Sequence, residues 1–188
     1  MQRIRFDRRK LVVILTAIGI VALFVLIDQL SKLYFVKLNE RENLTLNPKR
    51  VLGNFFYFSF LYNTGSAYGM LSGKPWAQTF FKILTPVAII GFSIVLVYAL
   101  KKKYKFFAFA LMLIIGGTLG NYIDRLILGK VVDFLCIEIN GNRIFGVFNV
   151  ADVFLSLGMV MAVIHFLFID DNAVFRKKNG KTNDKKDI

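Results

Sequence analysis

Four long apolar runs without a charged side chain constrain this chain of 188 residues more than any single motif does. They cover residues 11–27, 83–100, 106–123 and 153–169 and contain no Asp, Glu, Lys or Arg. A helix needs about 20 mainly apolar residues to cross hydrocarbon, where the backbone finds hydrogen-bond partners only within itself. With their flanks, the runs predict four transmembrane helices over residues 11–27, 80–100, 106–124 and 150–169.

The fold class follows from how little chain remains outside these runs. We predict an all-α membrane protein that forms one polytopic domain over residues 1–170, followed by a disordered basic tail over residues 171–188. Five basic residues before the first run are typical of a cleavable signal peptide. However, the run is longer than the usual apolar region of about 7–15 residues, and no small-residue cleavage site follows it. The first run is therefore predicted to be a retained helix.

Lysine and arginine concentrate in three short stretches. Residues 1–10 carry five, the connection 101–105 carries four, and the stretch from residue 170 onward carries six. Dense basic charge beside membrane spans marks the cytoplasmic side, so both termini are predicted to be cytoplasmic. The formal net charge of +13 is then explained by topology and by attraction to anionic membrane lipids. We expect no nucleic-acid partner, because the charges flank spans and lie on no recognition element.

Two segments on the opposite side have β character. Residues 51–63 are rich in Phe and Tyr, and residues 131–139 and 143–148 flank an Asn-Gly pair that favours a hairpin turn. These segments predict a small extracytoplasmic β-sheet on the outer face. Residues 39–50 are polar and predict a loop.

Several catalytic classes are excluded by the single histidine. His165 lies thirteen residues beyond Asp152 on the same predicted helix, or about 20 Å at roughly 1.5 Å per residue. It therefore cannot serve a zinc site or a serine nucleophile at the outer face. Cys136 is the only cysteine and has no imidazole to activate it. The sequence calls for no metal and no organic cofactor.

Three carboxylates, by contrast, gather at the predicted outer rim: Asp124, Asp133 and Asp152. Two acids that share one proton can act as general acid and general base in hydrolysis by water. Asp152 could instead only cap its helix together with Asn149, and Asp133 could be an exposed acid of an edge strand. We favour a structural role for Asp124, but the sequence leaves open which of Asp124 and Asp133 is the partner of Asp152.

A set of motifs in a fixed order resembles bacterial lipoprotein signal peptidase, also called signal peptidase II, over residues 14–169. One of them contains Gly116 and Gly120, whose spacing also predicts a close helix contact. Ser66 and Tyr68 depart slightly from the family pattern while remaining small and aromatic. The motifs are Asp28-Gln29-Leu30-Ser31-Lys32, Asn63-Thr64-Gly65-Ser66-Ala67, Gly116-Gly117 with Gly120-Asn121 and Asp124-Arg125, Val131-Val132-Asp133-Phe134, and Phe148-Asn149-Val150-Ala151-Asp152.

The resemblance implies an aspartyl endopeptidase of the bacterial inner membrane with its active site at the outer face. Its substrates would be prolipoproteins carrying a diacylglyceryl-modified cysteine, its surroundings membrane lipids, and no cofactor would be needed. The catalytic pair maps onto Asp133 and Asp152. Asp28 and Lys32 could equally form only an interfacial ion pair. The supporting or substrate-binding positions are Asp28, Lys32, Asn63, Gly65, Asn121, Asp124, Arg125, Asn149 and Ala151.

Two other classes of function compete with a peptidase. A small ion-coupled transporter would place its acids near the membrane midplane, whereas the span centres here carry only Thr16, Thr85-Pro86 and Ser93 as polar or helix-breaking features. A non-catalytic membrane assembly factor would use the acids only for caps and ion pairs. We expect the chain to act as a monomer.

Overall fold

The computed structural model describes residues 8–53, 55–65, 74, 76–139 and 142–170. The predicted tail over residues 171–188, the Asn140-Gly141 turn, Ser66 and Tyr68 lie outside the described residues. Four α-helices are present: α1 (Arg8–Glu42), α2 (Ala77–Lys102), α3 (Lys105–Ile127) and α4 (Val150–Ile164), the last continued by a π-helical turn over His165–Ile169. All four helices are long and apolar enough to cross a membrane. The prediction of four apolar helices is confirmed.

Helix α1 is much longer than predicted. The predicted span ended at residue 27 and residues 39–50 were expected to form a loop, but α1 continues to Glu42. At about 1.5 Å per residue its 35 residues extend roughly 50 Å, well beyond a hydrocarbon core of about 30 Å. The extra turns are stabilised by tertiary packing, because the ring of Phe35 stacks on Phe134 with centroids 4.0 Å apart.

A small antiparallel sheet, in the order β1-β2-β3-β4, lies at the same end of the bundle. Its strands are β1 (Lys49–Leu52), β2 (Phe56–Asn63), β3 (Val131–Ile139) and β4 (Asn142–Arg143). The predicted segment 51–63 is thus divided by a turn at Gly53, whose φ of +53° favours glycine.

The predicted strand over residues 143–148 is wrong. Strand β4 contains only Asn142 and Arg143, and Phe148 then returns to form an isolated bridge with Leu135 of β3. Four residues lie between positions 143 and 148, whereas two lie between the partner positions 138 and 135. The two additional residues cannot keep the register, so the regular pairing stops after the hydrogen bond of 3.1 Å from the Ile144 backbone N–H to the Ile137 carbonyl oxygen and resumes only at Phe148.

Helix α3 forms the centre of the bundle. It contacts α1, α2 and α4. In its apolar stretch 61% of the residues are buried inside the protein, against 11% in the apolar stretch of each of the other three helices. The outward apolar faces of those three are suited to contact lipid. A separate hydrophobic core joins the end of α1 to the sheet and fixes β3 at the end of the bundle. It consists of Phe35, Leu44, Phe60, Val132 and Phe134.

Glycines allow the helices to approach α3 closely. A Cβ added at Gly117 would run into the backbone of Ala151 and Leu155 in α4. A Cβ at Gly116 would meet Phe24, and one at Gly120 would meet Asp28, both in α1. The predicted close contact at Gly116 and Gly120 is therefore present, and Gly117 adds a second contact that brings the start of α4 against α3.

We expect Gly117→Ala to destabilise the protein by about 1–3 kcal/mol, the usual cost of forcing a methyl group into a packed contact. The neighbouring atoms belong to the backbone of α4, which cannot move without shifting the helix. Gly91→Ala in α2 is the matched control, because nothing lies within 4 Å of its added Cβ. Thermal unfolding in detergent should separate the two variants. Equal stabilities would show that the α3–α4 contact is loose.

Candidate active site

Asp152 lies in the first turn of α4 and forms a capping box with Asn149. The Asn149 side chain accepts a hydrogen bond from the Asp152 backbone N–H at 3.0 Å, and Asp152 Oδ2 accepts from the Asn149 backbone N–H at 3.1 Å. The cap considered from the sequence is thus present. It occupies only Oδ2, and Oδ1 accepts a hydrogen bond of 2.8 Å from Asn121 Nδ2. Asp152 therefore caps its helix and also faces the neighbouring polar cluster.

Asp133 is buried in β3 and is no exposed edge-strand acid, since only 2% of its surface is accessible. Its Oδ1 accepts from Asn149 Nδ2 at 2.7 Å, and its Oδ2 accepts from Asn63 Nδ2 at 3.0 Å. Asn149 thus donates to Asp133 through its side chain and to Asp152 through its backbone. One residue joins the two carboxylates, although they come from a strand and a helix.

A buried cluster of ion pairs lies next to the two carboxylates and is connected to Asp152 through Asn121. Lys32 Nζ lies 2.8 Å from Asp28 Oδ2 and 3.0 Å from Asp124 Oδ2, and it also donates to Asn121 Oδ1 at 3.0 Å. The Asp28–Lys32 pair is buried inside the protein, with side-chain exposures of 0% for Asp28 and 3% for Lys32. Because Asn121 contacts both Lys32 and Asp152, the ion pairs are connected to the acid of α4.

The two aspartates of the cluster also hold the backbone on either side of the site. Asp28 Oδ1 accepts from the backbone N–H of Ala151 at 2.9 Å, which fixes the first turn of α4 to α1. Asp124 Oδ2 accepts from the backbone N–H of Val132 at 3.0 Å, which fixes the start of β3. Ala151 is fully buried, so a larger side chain has no room there.

Sequence reasoning assigned no separate role to Gln29. Its Nε2 donates to Asp124 Oδ1 at 2.9 Å and to the carbonyl oxygen of Gly120 at 3.1 Å. A neutral amide at the end of an apolar run was the available signal, because such a group needs partners when it is buried. Gln29 therefore belongs to the supporting cluster.

The remaining predicted residues are Asn63, Gly65 and Arg125. Asn63 contacts Asp133 at Oδ2, whereas Asn149 contacts it at Oδ1. Asn63 Oδ1 accepts from the backbone N–H of Gly65 at 2.8 Å, and Arg125 Nη2 donates to the Gly65 carbonyl oxygen at 3.3 Å. The Arg125 guanidinium also lies 4.8 Å from the ring centroid of Phe81 in α2. Arg125 thereby joins the end of β2 to α3 and α2. All the residues predicted for the site lie at this end of the bundle.

The pKa of Asp133 is raised from its ordinary 3.8 to about 7. Burial of the carboxyl group is the larger cause, and the negative charge of Asp152 is the second. The hydrogen bonds from Asn63 and Asn149 act in the opposite direction but are weaker. Asp133 therefore holds its proton up to a much higher pH than an ordinary aspartate does, which suits it to give or take a proton near neutral pH.

The groups that other hydrolases use are arranged unfavourably here. Lys32 donates to three oxygen atoms and offers no lone pair that could activate a serine. His165 stacks on Phe107 at the far end of α4, and Cys136 is fully buried in β3. Within the described ranges, no group of three or more His, Cys, Asp or Glu side chains is placed to hold a metal ion. Asp133 and Asp152, by contrast, are both hydrogen-bonded to Asn149 and are suited to acid–base hydrolysis.

The raised pKa of Asp133 has a consequence for stability. Between about pH 4 and pH 7 the folded protein keeps a proton that the unfolded chain has lost, so stability should fall as pH rises through this window. From about pH 5 to about pH 8 we expect a loss of at least about 1.4 kcal/mol, the value of one pKa unit. Asp133→Asn should reduce this slope, which unfolding at both pH values would detect. An unchanged slope in the variant would mean that another group titrates.

Comparison with known proteins gives one consistent result. A family model described as "Signal peptidase (SPase) II" matches residues 20–168. A "Lipoprotein signal peptidase" of Listeria welshimeri is 36% identical over 146 residues, which cover 77% of this chain and 88% of that protein. One of the same name from a Janthinobacterium species is 35% identical over 149 residues, covering 78% and 84%. A solved structure described as a bacterial membrane enzyme matches with a TM-score of 0.66 at 34% identity, covering 88% of this chain and 94% of its own.

Proposed function

The chain belongs to the signal peptidase II family, and on this premise we propose that it is an aspartyl endopeptidase of the bacterial inner membrane. We infer that it removes the signal peptide from prolipoproteins whose cysteine carries a diacylglyceryl group. Asp133 and Asp152 are the proposed catalytic pair. The observation that carries this assignment is Asn149, which donates hydrogen bonds to both carboxylates.

In the proposed mechanism, Asp152 is the base and Asp133 the acid. The amino terminus of α4 favours negative charge on Asp152, while the buried position of Asp133 favours its protonated form. Asp152 takes a proton from water as the water oxygen bonds to the scissile carbonyl carbon, and Asp133 protonates the carbonyl oxygen. The proton on Asp152 then passes to the leaving amine as the C–N bond breaks, while the Asp133 carboxylate takes a proton from one hydroxyl of the tetrahedral diol and so returns to its protonated form. A carboxyl terminus and a free amine result, with no covalent intermediate.

We propose distinct roles for the surrounding residues. Asp28, Lys32, Asp124 and Asn121 hold the two acids in place and take no proton from the substrate. Asn63, Gly65 and Arg125 border the site on the side of β2 and α2, where they are suited to contact the substrate backbone. Asn149 and Ala151 set the start of α4, because Asn149 caps it and Ala151 packs at the contact with α3 and α1.

The proposed orientation places the acids at the outer face and both termini in the cytoplasm. It is supported by Lys101, Lys102, Lys103 and Lys105, which lie at the end of the bundle opposite to the acids. A signal helix emerging from the membrane would then present its cleavage site at the level of the acids, with acyl chains along the outward apolar faces of the helices. One domain over residues 1–170, acting as a monomer without a cofactor, is sufficient for this reaction.

Purified protein in lipid nanodiscs, mixed with a synthetic precursor, tests this function. We expect cleavage immediately before the diacylglyceryl-cysteine, with the new amino terminus identified by mass spectrometry. The same precursor without the lipid group is the matched substrate and should be cut far more slowly. Equal cleavage of both would contradict the substrate assignment. A folded protein that cuts neither would favour the non-catalytic assembly factor.

A further inference from the structure

A cavity lies at the opposite end of the bundle from the acids, at the turn between α2 and α3. Its volume is about 240 Å³, and it is lined by Lys103, Tyr104, Lys105, Phe106, His165 and Ile169. One water occupies about 30 Å³ in the liquid, so this cavity can hold a group considerably larger than a single water. The proposed peptidase reaction uses none of these residues.

The imidazole in the cavity wall is an unsatisfied polar group. His165 is only 2% exposed, yet among the residues that the structure describes neither of its ring nitrogens has a hydrogen-bond partner. Its ring is held rigidly, stacked on Phe107 with centroids 4.9 Å apart and tilted against Tyr104 at 5.4 Å. Burying a polar group without a partner is costly, so a ligand that forms a hydrogen bond with the imidazole would be favoured here.

The backbone around His165 is also unusual. α4 changes from α-helical to π-helical geometry at His165 and keeps it to Ile169. Such π-helical turns are rare and occur frequently at functional sites. Asp170 follows directly, and its Oδ2 lies 3.7 Å from His165 Nε2, which is beyond hydrogen-bonding distance. Asp170 is not part of the cavity wall.

The wall is suited to bind an anion. Of the six residues that line it, Lys103 and Lys105 are basic, Tyr104 carries a phenol, and none is an acid. The cavity also lies at the amino terminus of α3, where no side chain caps the helix and its first turn contains no acid. Backbone N–H groups and the helix dipole favour a phosphate at such a position.

The edge of the cavity indicates which kind of phosphate-containing molecule would fit it. Phe106 and Ile169 line it and remain 36% and 43% exposed, so an apolar rim adjoins the basic wall. A phospholipid presents the same sequence of chemistry, a charged phosphate followed by acyl chains. We propose that this cavity binds the phosphate ester headgroup of an anionic phospholipid in the leaflet opposite to the active site.

Because His165 is the only histidine in the chain, it reports on this site alone. Protein labelled with ¹⁵N-histidine, purified without a histidine tag, can be titrated with short-chain phosphatidylglycerol in a nonionic detergent. We expect a saturable shift of the imidazole signals. Short-chain phosphatidylcholine, glycerol phosphate and inorganic phosphate are the comparison probes and should bind at least about 10-fold more weakly. Equal binding of glycerol phosphate would overturn the lipid assignment, and no shift with any probe would overturn the site.

Matched charge variants separate this cavity from general attraction to a basic surface. The double variant Lys103→Gln with Lys105→Gln should weaken phosphatidylglycerol binding about 30-fold, given the usual contribution of two lysines near anionic lipid. Lys101→Gln with Lys102→Gln removes the same charge in the same stretch but outside the cavity wall, and should change binding little. Equal losses would contradict a defined site.

His165→Phe tests the imidazole itself, because it keeps the ring stack. It should abolish the rise in thermal stability that the lipid produces. A retained rise would exclude the imidazole as a ligand.

Discussion

Replacing either Asp133 or Asp152 with Asn is expected to reduce cleavage of a lipidated precursor by at least about 10²–10⁴-fold, the usual contribution of general acid–base catalysis. An amide preserves the size of the side chain and one hydrogen-bond acceptor, but it cannot accept a proton from water. In each variant the remaining acid loses the partner that takes or supplies the second proton. Turnover of purified protein, followed by separation of the released signal peptide, measures the effect directly.

Two controls separate loss of chemistry from loss of fold. Asp170→Asn removes a carboxylate at the other end of α4 and should leave turnover unchanged. Asp124→Asn removes an acid that contacts Lys32 and the backbone of Val132, so we expect it to lower thermal stability more than the two catalytic variants do. Normal turnover in Asp133→Asn or Asp152→Asn would refute the proposed pair. Complete loss in Asp124→Asn with intact stability would make Asp124 the partner of Asp152.

Removing the buried cation is expected to produce the largest loss of stability. Lys32→Met should cost about 3–5 kcal/mol, because it leaves two buried carboxylates, those of Asp28 and Asp124, without their common partner. These carboxylates hold the backbone of α4 and β3, so the site should loosen as well. Unfolding in a denaturing detergent, with activity measured on the same samples, would report both effects.

Lys37→Met is the matched control on the same helix, since Lys37 is exposed. It should change stability by less than about 0.5 kcal/mol, as is usual for surface positions. Combining Lys32→Met with Asp124→Asn should restore part of the lost stability, because one of the two unpaired charges is then removed. Additive losses in the double variant would show that the carboxylates are not coupled through Lys32.

The spans could be predicted from the sequence because lipid imposes a strong local requirement. An uncharged apolar run is visible without any knowledge of its neighbours, and all four runs form helices. The extension of α1 could not be predicted in this way. It depends on Phe35 packing against Phe134, almost a hundred residues away, and polarity alone had indicated a loop. The end of β4 depended on a register difference that a short segment does not reveal.

The site shows the same division. The candidate acids could be selected from the sequence because carboxylates at the ends of apolar runs are unusual, and the family resemblance predicted which positions support them. Residue types alone left Asp124 and Asp133 as alternatives. The structure distinguishes their surroundings: Asp124 pairs with Lys32, whereas Asp133 is hydrogen-bonded to the two amides of Asn63 and Asn149. The bridging role of Asn149 combines a helix cap with a contact to a strand, and only the cap has a sequence signal.

The dependence of kcat/KM on pH tests the proposed proton-sharing pair most directly. If one acid must be protonated and the other ionised, the profile will be bell-shaped, with two apparent pKa values that belong to the pair. The raised pKa of Asp133 places the alkaline limb near or above about pH 7. Measured on a lipidated precursor over a range in which the protein stays folded, this is the result we expect. A rate that rises with pH to a plateau and shows no alkaline fall would contradict catalysis by two carboxyl groups.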